Sequence, residues 1–152
     1  MKAEMIWHEG MSFESKIRNH SVRMDLASLG GKDTGPTPKE LMIASVLGCT
    51  GMDVVSLIRK KKLDLRSFSM SGEGEPRAAH PKVLAQLDLV YEMQIEFTDR
   101  ARELPLALEA VTLSMTRYCG VSATVAAATP IYYTVVINGE IEARDQAKFV
   151  SA

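Results

Sequence analysis

The chain predicts an α+β fold in which antiparallel sheets surround one long, buried central helix. Three observations carry that expectation. Short alternating segments separated by turn residues occupy residues 4–26. An apolar stretch of helical length follows over residues 38–61. Further alternating segments, a second helical region and a β-branched run fill the remainder.

Residues 4–9, 11–17 and 20–26 read as three strands of an antiparallel meander, with Gly10 and Asn19 at the turns. Residues 29–35, which contain Gly30, Gly31 and Asp33, form a loop. The helix start that follows is unusually explicit. Thr37 fits the N-cap, Pro38 the first helical position, and Glu40 completes a T-x-x-E capping box. Arg59, Lys60, Lys61 and Lys62 suit the negative end of its dipole, so this basic run is a solvated cap and not a nucleic-acid patch. Until Asp53 the helix has no polar face, because Leu41, Met42, Ile43, Ala44, Val46 and Leu47 surround it. It must therefore be buried. Gly48 and Gly51 inside it each cost about 1 kcal/mol relative to alanine, which points to close approach of another helix or a substrate.

Residues 68–72 and 85–97 read as strands, with a turn at 72–76 and a loop around His80 and Pro81 between them. Gly72 and Gly74 lack the Lys-Ser or Lys-Thr of a phosphate loop. A second helix is predicted from near Pro105 to about Arg117, with Cys119 just beyond it, and a short third helix from near Ser122 to before Pro130. Residues 131–138 form the last strand, and the charged residues from Glu140 onward lie on the surface.

With 152 residues, 46% of them hydrophobic, the chain makes one domain (1–152) with one core. Eighteen basic residues against nineteen acidic give a net charge of -1, which leaves no electrostatic footprint for nucleic acid or an anionic membrane surface. A small-molecule or protein partner is expected instead. The first nine residues are interrupted by charge and lack the apolar core of a secretory signal, so the expected location is the cytoplasm. The uncharged stretch over 118–139 is divided by Pro130 and ends in β-branched and aromatic residues. It reads as a buried helix and a buried strand, not a membrane span.

In a reducing cytoplasm the two cysteines, Cys49 and Cys119, are either reduced core residues or a redox pair. Taken alone, Cys49 on an apolar helix reads as inert, since burial raises a thiol pKa. Cys119 precedes a helix N-terminus, where N–H dipoles stabilise a thiolate. His8, His20 and His80 have no metal-ligand spacing, and no histidine or acid is expected beside either cysteine; this reading gives no metal site, no cofactor and no Cys-His protease. Among nine methionines, Met42, Met52 and Met115 fill the apolar centre or form a soft pocket.

The segments Gly35-Pro36-Thr37-Pro38-Lys39-Glu40-Leu41-Met42-Ile43-Ala44-Ser45-Val46-Leu47-Gly48-Cys49-Thr50-Gly51-Met52-Asp53 and Tyr118-Cys119-Gly120-Val121-Ser122 carry the cysteines. Both resemble the cysteine motifs of the OsmC and Ohr family of thiol-dependent peroxidases, which reduce hydroperoxides. The resemblance implies that Cys49 is the peroxidatic thiol and Cys119 the resolving thiol, joined in a Cys49–Cys119 disulfide during turnover. It also implies an intertwined homodimer, a small hydrophobic hydroperoxide as substrate and an external dithiol reductant. A helix with no polar face argues independently for two chains wrapped around each other.

One departure stands out. Peroxidases of this family place a glutamate directly after the helix-opening proline, where it pairs with an active-site arginine; Lys39 occupies that position here and Glu40 follows it. Glu40 is the candidate acid, although the capping box already explains it. Arg23 resembles the family's arginine by position, with Arg18 and Arg77 behind it. The alternative reading is a non-enzymatic OsmC-like redox-sensing or small-molecule-binding protein that has lost the usual acidic partner.

Overall fold

A computed structural model describes residues 1–149, which form two compact units, residues 1–42 and the chain from Ile43 onward. In the first unit, β1 (Glu4–Trp7), β2 (Phe13–Ile17) and β3 (His20–Met24) form the expected antiparallel meander in the order β1-β2-β3. Ser15 and Asp25 are buried, whereas Met5, Ile6, Trp7 and Ile17 are exposed. Asp25 organises the loop after β3. Its carboxylate accepts from the amides of Leu26, Lys32 and Thr34 and from the Thr34 hydroxyl, at 2.8 to 3.1 Å.

Helix α1 (Pro38–Lys60) starts in the first unit and continues in the second. Its capping box forms as the sequence predicts: the Thr37 amide donates to Glu40 Oε2 at 2.6 Å, and the Glu40 amide donates to Thr37 Oγ1 at 3.4 Å. These bonds hold the Glu40 carboxyl below its ordinary pKa. Within one chain the helix is not buried all round. Val46, Thr50, Gly51, Val54 and Ile58 are buried, while Met52 is 76% exposed. By length and composition α1 could also cross a membrane: its best window has a mean hydropathy of 1.9, with 22% of it buried.

The second unit holds the core. Strands β4 (Asp64–Glu73), β5 (Leu87–Glu96), β6 (Ile131–Ile137) and β7 (Glu140–Gln146) form one sheet in chain order. The β5–β6 pair is parallel, so this sheet is mixed and not wholly antiparallel. The cause is the connection: α2 (Arg100–Leu113), a π-helical turn (Ser114–Tyr118) and α3 (Gly120–Ala126) lie between β5 and β6 and return the chain to the same end of the sheet. Val46, Val54 and Ile58 of α1 join Leu89, Tyr91 and Met93 of β5, Ala107, Ala110 and Val111 of α2, and Ile131, Val135 and Ile137 of β6 in one apolar cluster.

The main differences from the expectation lie in β4, α2, α3 and β7. Strand β4 begins at Asp64 and continues through Gly72 and Glu73, where a turn was expected. Gly72 is there for packing: an added Cβ would lie 3.1 to 3.2 Å from Ile43, Leu47 and Leu89. Helix α2 begins at Arg100, with Pro105 inside it, because Asp99 caps the amide of Arg102 and Glu103 reaches back to the amide of Thr98. Helix α3 starts two residues early, with Cys119 as its N-cap. Finally, the charged residues after Gly139 form β7, paired antiparallel with β6.

The β6–β7 turn explains that last difference. Asn138 and Gly139 have φ of 54° and 84°, the two positive values a tight hairpin needs, and charged residues suit an edge strand. The Asn138 side chain also donates to the Ile95 carbonyl and accepts from the Ile95 amide, both at 2.9 Å. Asn138→Ala removes both bonds and the left-handed preference of asparagine. It should destabilise the chain by about 1 to 3 kcal/mol in urea unfolding; a value within experimental error of wild type would show that this clamp is idle.

Candidate functional site

The site is assembled from α1, the π-helical turn, the start of α3 and β5, and every residue that forms it lies in the second unit. On α1, Cys49 and Asp53 are one turn apart, so both project from the same face beside the buried row of Val46, Thr50, Val54 and Ile58. The π-helical turn supplies the other half. The Cys119 amide donates to the Ser114 carbonyl, five residues back, at 3.0 Å, which ties the two ends of the turn together. Cys49 Sγ, Cys119 Sγ and an Asp53 carboxylate oxygen all lie within 4.8 Å of one another.

A chain of hydroxyls leads into this cluster. The Thr50 hydroxyl lies 2.6 Å from the Tyr91 hydroxyl and 2.8 Å from Ser114 Oγ, and Ser114 donates to Asp53 Oδ2 at 3.0 Å. Each hydroxyl has one hydrogen to give, and an ionised Asp53 can only accept. The donations therefore run from Tyr91 through Thr50 and Ser114 to Asp53. Burial pushes the Tyr91 phenol well above its usual pKa, which keeps its proton available for that chain. Its ring packs edge-on against Phe68 and Tyr133, with centroids at 6.5 and 6.1 Å.

The two thiols differ in environment. Cys49 is partly exposed, whereas Cys119 is buried. Cys119 Sγ lies 2.9 Å from Ser122 Oγ and accepts from the Ser122 amide at 3.3 Å, the N-cap bond of α3. The expectation that this helix end gives Cys119 thiolate character does not hold. Burial, reinforced by Cys49 alongside, pushes its pKa up to about 11, and the Ser122 bonds offset only part of that. At neutral pH Cys119 is a thiol.

The structure thus brings Cys49 and Cys119 together. Arg23, on β3, and Glu40, in the capping box, belong to the first unit, and both are exposed. Asp53, Ser114, Thr50 and Tyr91 were not singled out from the sequence. Asp53 had a visible signal, since a carboxylate four residues after Cys49 lies on the same helical face, and the expectation of no acid beside either cysteine fails there. Cys49, Asp53 and Cys119 could together also hold a metal ion.

Cys119 makes stability depend on alkaline pH. Its folded pKa is raised above the ordinary value of 9.0, so its contribution is fully present below that value and is lost as pH rises towards about 11, where the unfolded chain ionises first. Urea midpoints measured across that window should fall for the wild type, and Cys119→Ala should flatten the fall. An equal slope in the variant would assign the pH dependence elsewhere.

Comparison with known proteins gives a consistent picture. Residues 31–134 match the family model for OsmC-like protein, about two thirds of the chain. Protein YhfA of Escherichia coli K12 is 28% identical over 123 residues, covering 80% of this chain and 87% of YhfA. Among solved structures, a hypothetical protein from Aquifex aeolicus superposes with a TM-score of 0.76 at 22% identity, over 99% of this chain and 97% of that one. A protein from Legionella pneumophila described as an organic hydroperoxide resistance protein OsmC gives 0.57 at 17% identity, over 90% and 96% of the two chains. These two structures share the fold.

Proposed function

The chain belongs to the OsmC-like family, and on that premise we propose that it is a thiol-dependent peroxidase that reduces small hydrophobic hydroperoxides. The observation that carries this reading is the meeting of a partly exposed thiol, Cys49, with a buried one, Cys119, from separate elements. The name of the Legionella structure, an organic hydroperoxide resistance protein, supports the substrate class.

In the proposed cycle the Cys49 thiolate attacks the O–O bond of the hydroperoxide. The S–O bond forms, the O–O bond breaks, and the alcohol leaves with one proton, so Cys49 becomes a sulfenic acid. Cys119 then attacks Cys49 sulfur. The disulfide forms, the S–O bond breaks, and water leaves with the Cys119 proton. An external dithiol restores both thiols, which suits a cytoplasmic location. The Glu40 carboxylate takes no part in this cycle, being committed to the helix cap.

Treating the reduced chain with one equivalent of cumene hydroperoxide should remove both free thiols. Cys119→Ser should stop at a sulfenic acid trapped by dimedone on Cys49, and Cys49→Ser should consume no peroxide. A sulfenic acid on Cys119 would reverse the roles, and no disulfide in the folded wild type would remove the two-cysteine cycle. The raised Cys119 pKa supports a second reading, a redox sensor that is oxidised slowly and once. Steady consumption of peroxide with a dithiol reductant separates the two: a peroxidase turns over many times, and a sensor stops after one equivalent.

A homodimer is part of the proposal. An open groove beside α1 is lined by Leu47, Gly48, Met52, Val55, Phe68 and Met70, and strand β1 carries exposed Met5, Ile6 and Trp7. Gly48 has open space around it within one chain, so overpacking by a larger side chain there does not follow from the single chain. It does follow if a second copy fills the groove. Gly48→Leu should then weaken association at least tenfold, read by light scattering over a dilution series, with secondary structure unchanged. A wild type that is a folded monomer at micromolar concentration would overturn the dimer.

A further inference from the structure

The bonds made and broken in the proposed redox cycle involve the two sulfurs alone, yet a carboxylate lies among them. We propose that the reduced Cys49–Cys119 pair, with Asp53, is a binding site for a thiophilic divalent cation of the zinc class, which competes with the oxidant for the same two sulfurs. The inference stands on the convergence of three donor atoms and does not require that the oxidant be a hydroperoxide.

The geometry is near closure. Tetrahedral zinc, with sulfur at about 2.3 Å and oxygen at about 2.0 to 2.2 Å, keeps its ligands about 3.5 to 3.8 Å apart. The three donors here lie within 4.8 Å of one another, so a contraction of about 1.3 Å at most, by rotation of side chains, completes three corners of a tetrahedron. The partly exposed Cys49 gives an ion access and leaves the fourth corner to water. Two thiolates select a soft cation, whereas magnesium and calcium would need an oxygen cage that this site lacks.

The surroundings hold these donors as a supporting shell holds ligands. Ser114 donates to Asp53 Oδ2 and is itself fixed by the Thr50 hydroxyl, which in turn meets Tyr91, so the carboxylate is held by a hydrogen-bonded second layer. The Ser122 amide donates to Cys119 Sγ, a bond that stabilises sulfur as a thiolate ligand without occupying the metal position. The donors come from a helix and from the capped end of a π-helical turn, so their spacing is set by regular structure.

Binding of the cation replaces two thiol protons. Oxidation reverses it: the two thiolates lose two electrons to form the disulfide, a hydroperoxide with two protons is reduced to alcohol and water, and the cation leaves. Metal occupancy would protect the thiols, and oxidation would release the metal.

The test uses the reduced, metal-stripped full chain, with no peroxide present, so failure of the peroxidase reading and failure of this one are separable. Cadmium chloride should produce a thiolate charge-transfer absorption that saturates at one equivalent per chain, and zinc chloride should displace it. Zinc-loaded protein should react with a thiol reagent at least tenfold more slowly than the stripped protein. Cys49→Ser should lose the absorption, and Asp53→Asn should keep it with affinity at least tenfold weaker. Because Cys119→Ser alters a buried position, diamide-oxidised wild type provides the second control and should bind no cadmium. No saturable absorption in the reduced wild type would overturn the site, and undiminished affinity in folded Asp53→Asn would remove Asp53 from it.

Discussion

The structure around the cysteines depends on one buried hydroxyl. Thr50 is the only polar side chain in the buried row Val46, Thr50, Val54 and Ile58 of α1, and its oxygen meets both Tyr91 on β5 and Ser114 at the start of the π-helical turn. Apolar packing is non-directional and would tolerate some rotation of a helix with so little polar surface. A buried hydroxyl is not so tolerant, because leaving it unpaired costs about 1 to 3 kcal/mol. Thr50 therefore fixes the angle of α1 about its axis. With that angle set, Cys49 and Asp53, each one residue before a member of the buried row, turn towards the segment that carries Cys119.

The same constraint shows why some of this arrangement was legible in the sequence and some was not. The capping box at Thr37 and Glu40 is local chemistry over four residues, so the start of α1 could be read to the residue. The first three strands and the last buried strand had clear patterns. Strand β7 was missed because its charged composition outweighed the Asn138-Gly139 turn signal that stood in front of it. The start of α2 was placed at Pro105 because proline favours the first helical turn, although Asp99 supplied a better cap. The hydroxyl chain was beyond reach for another reason: Thr50, Tyr91 and Ser114 are 41 and 64 positions apart and meet only through the fold.

Cys119 shows two local rules in competition. Its place at the head of α3 argues for a lowered pKa, and the Ser122 amide does donate to its sulfur. A helix of only seven residues has few aligned peptide dipoles to offer, and the sulfur is almost fully removed from water beside a second thiol. Desolvation is the larger effect, and the thiol is pushed up to about 11. Position along the chain revealed the dipole but not the burial.

The resulting asymmetry between the thiols fits an order of events in the proposed chemistry. A partly exposed sulfur can be reached by an oxidant or a cation from solvent; a buried, protonated one cannot readily be reached, and waits for a partner already at hand. Protonation also protects Cys119 from direct oxidation, since the thiolate is the nucleophile. Its attack on an oxidised Cys49 then requires loss of a proton inside the cluster, where the Asp53 carboxylate is within 4.8 Å and is anchored by Ser114. The hydroxyl chain that fixes α1 thus ends at the one carboxylate placed among the sulfurs, and the contact that orients the helix also orients the charge that either a proton or a metal ion would meet.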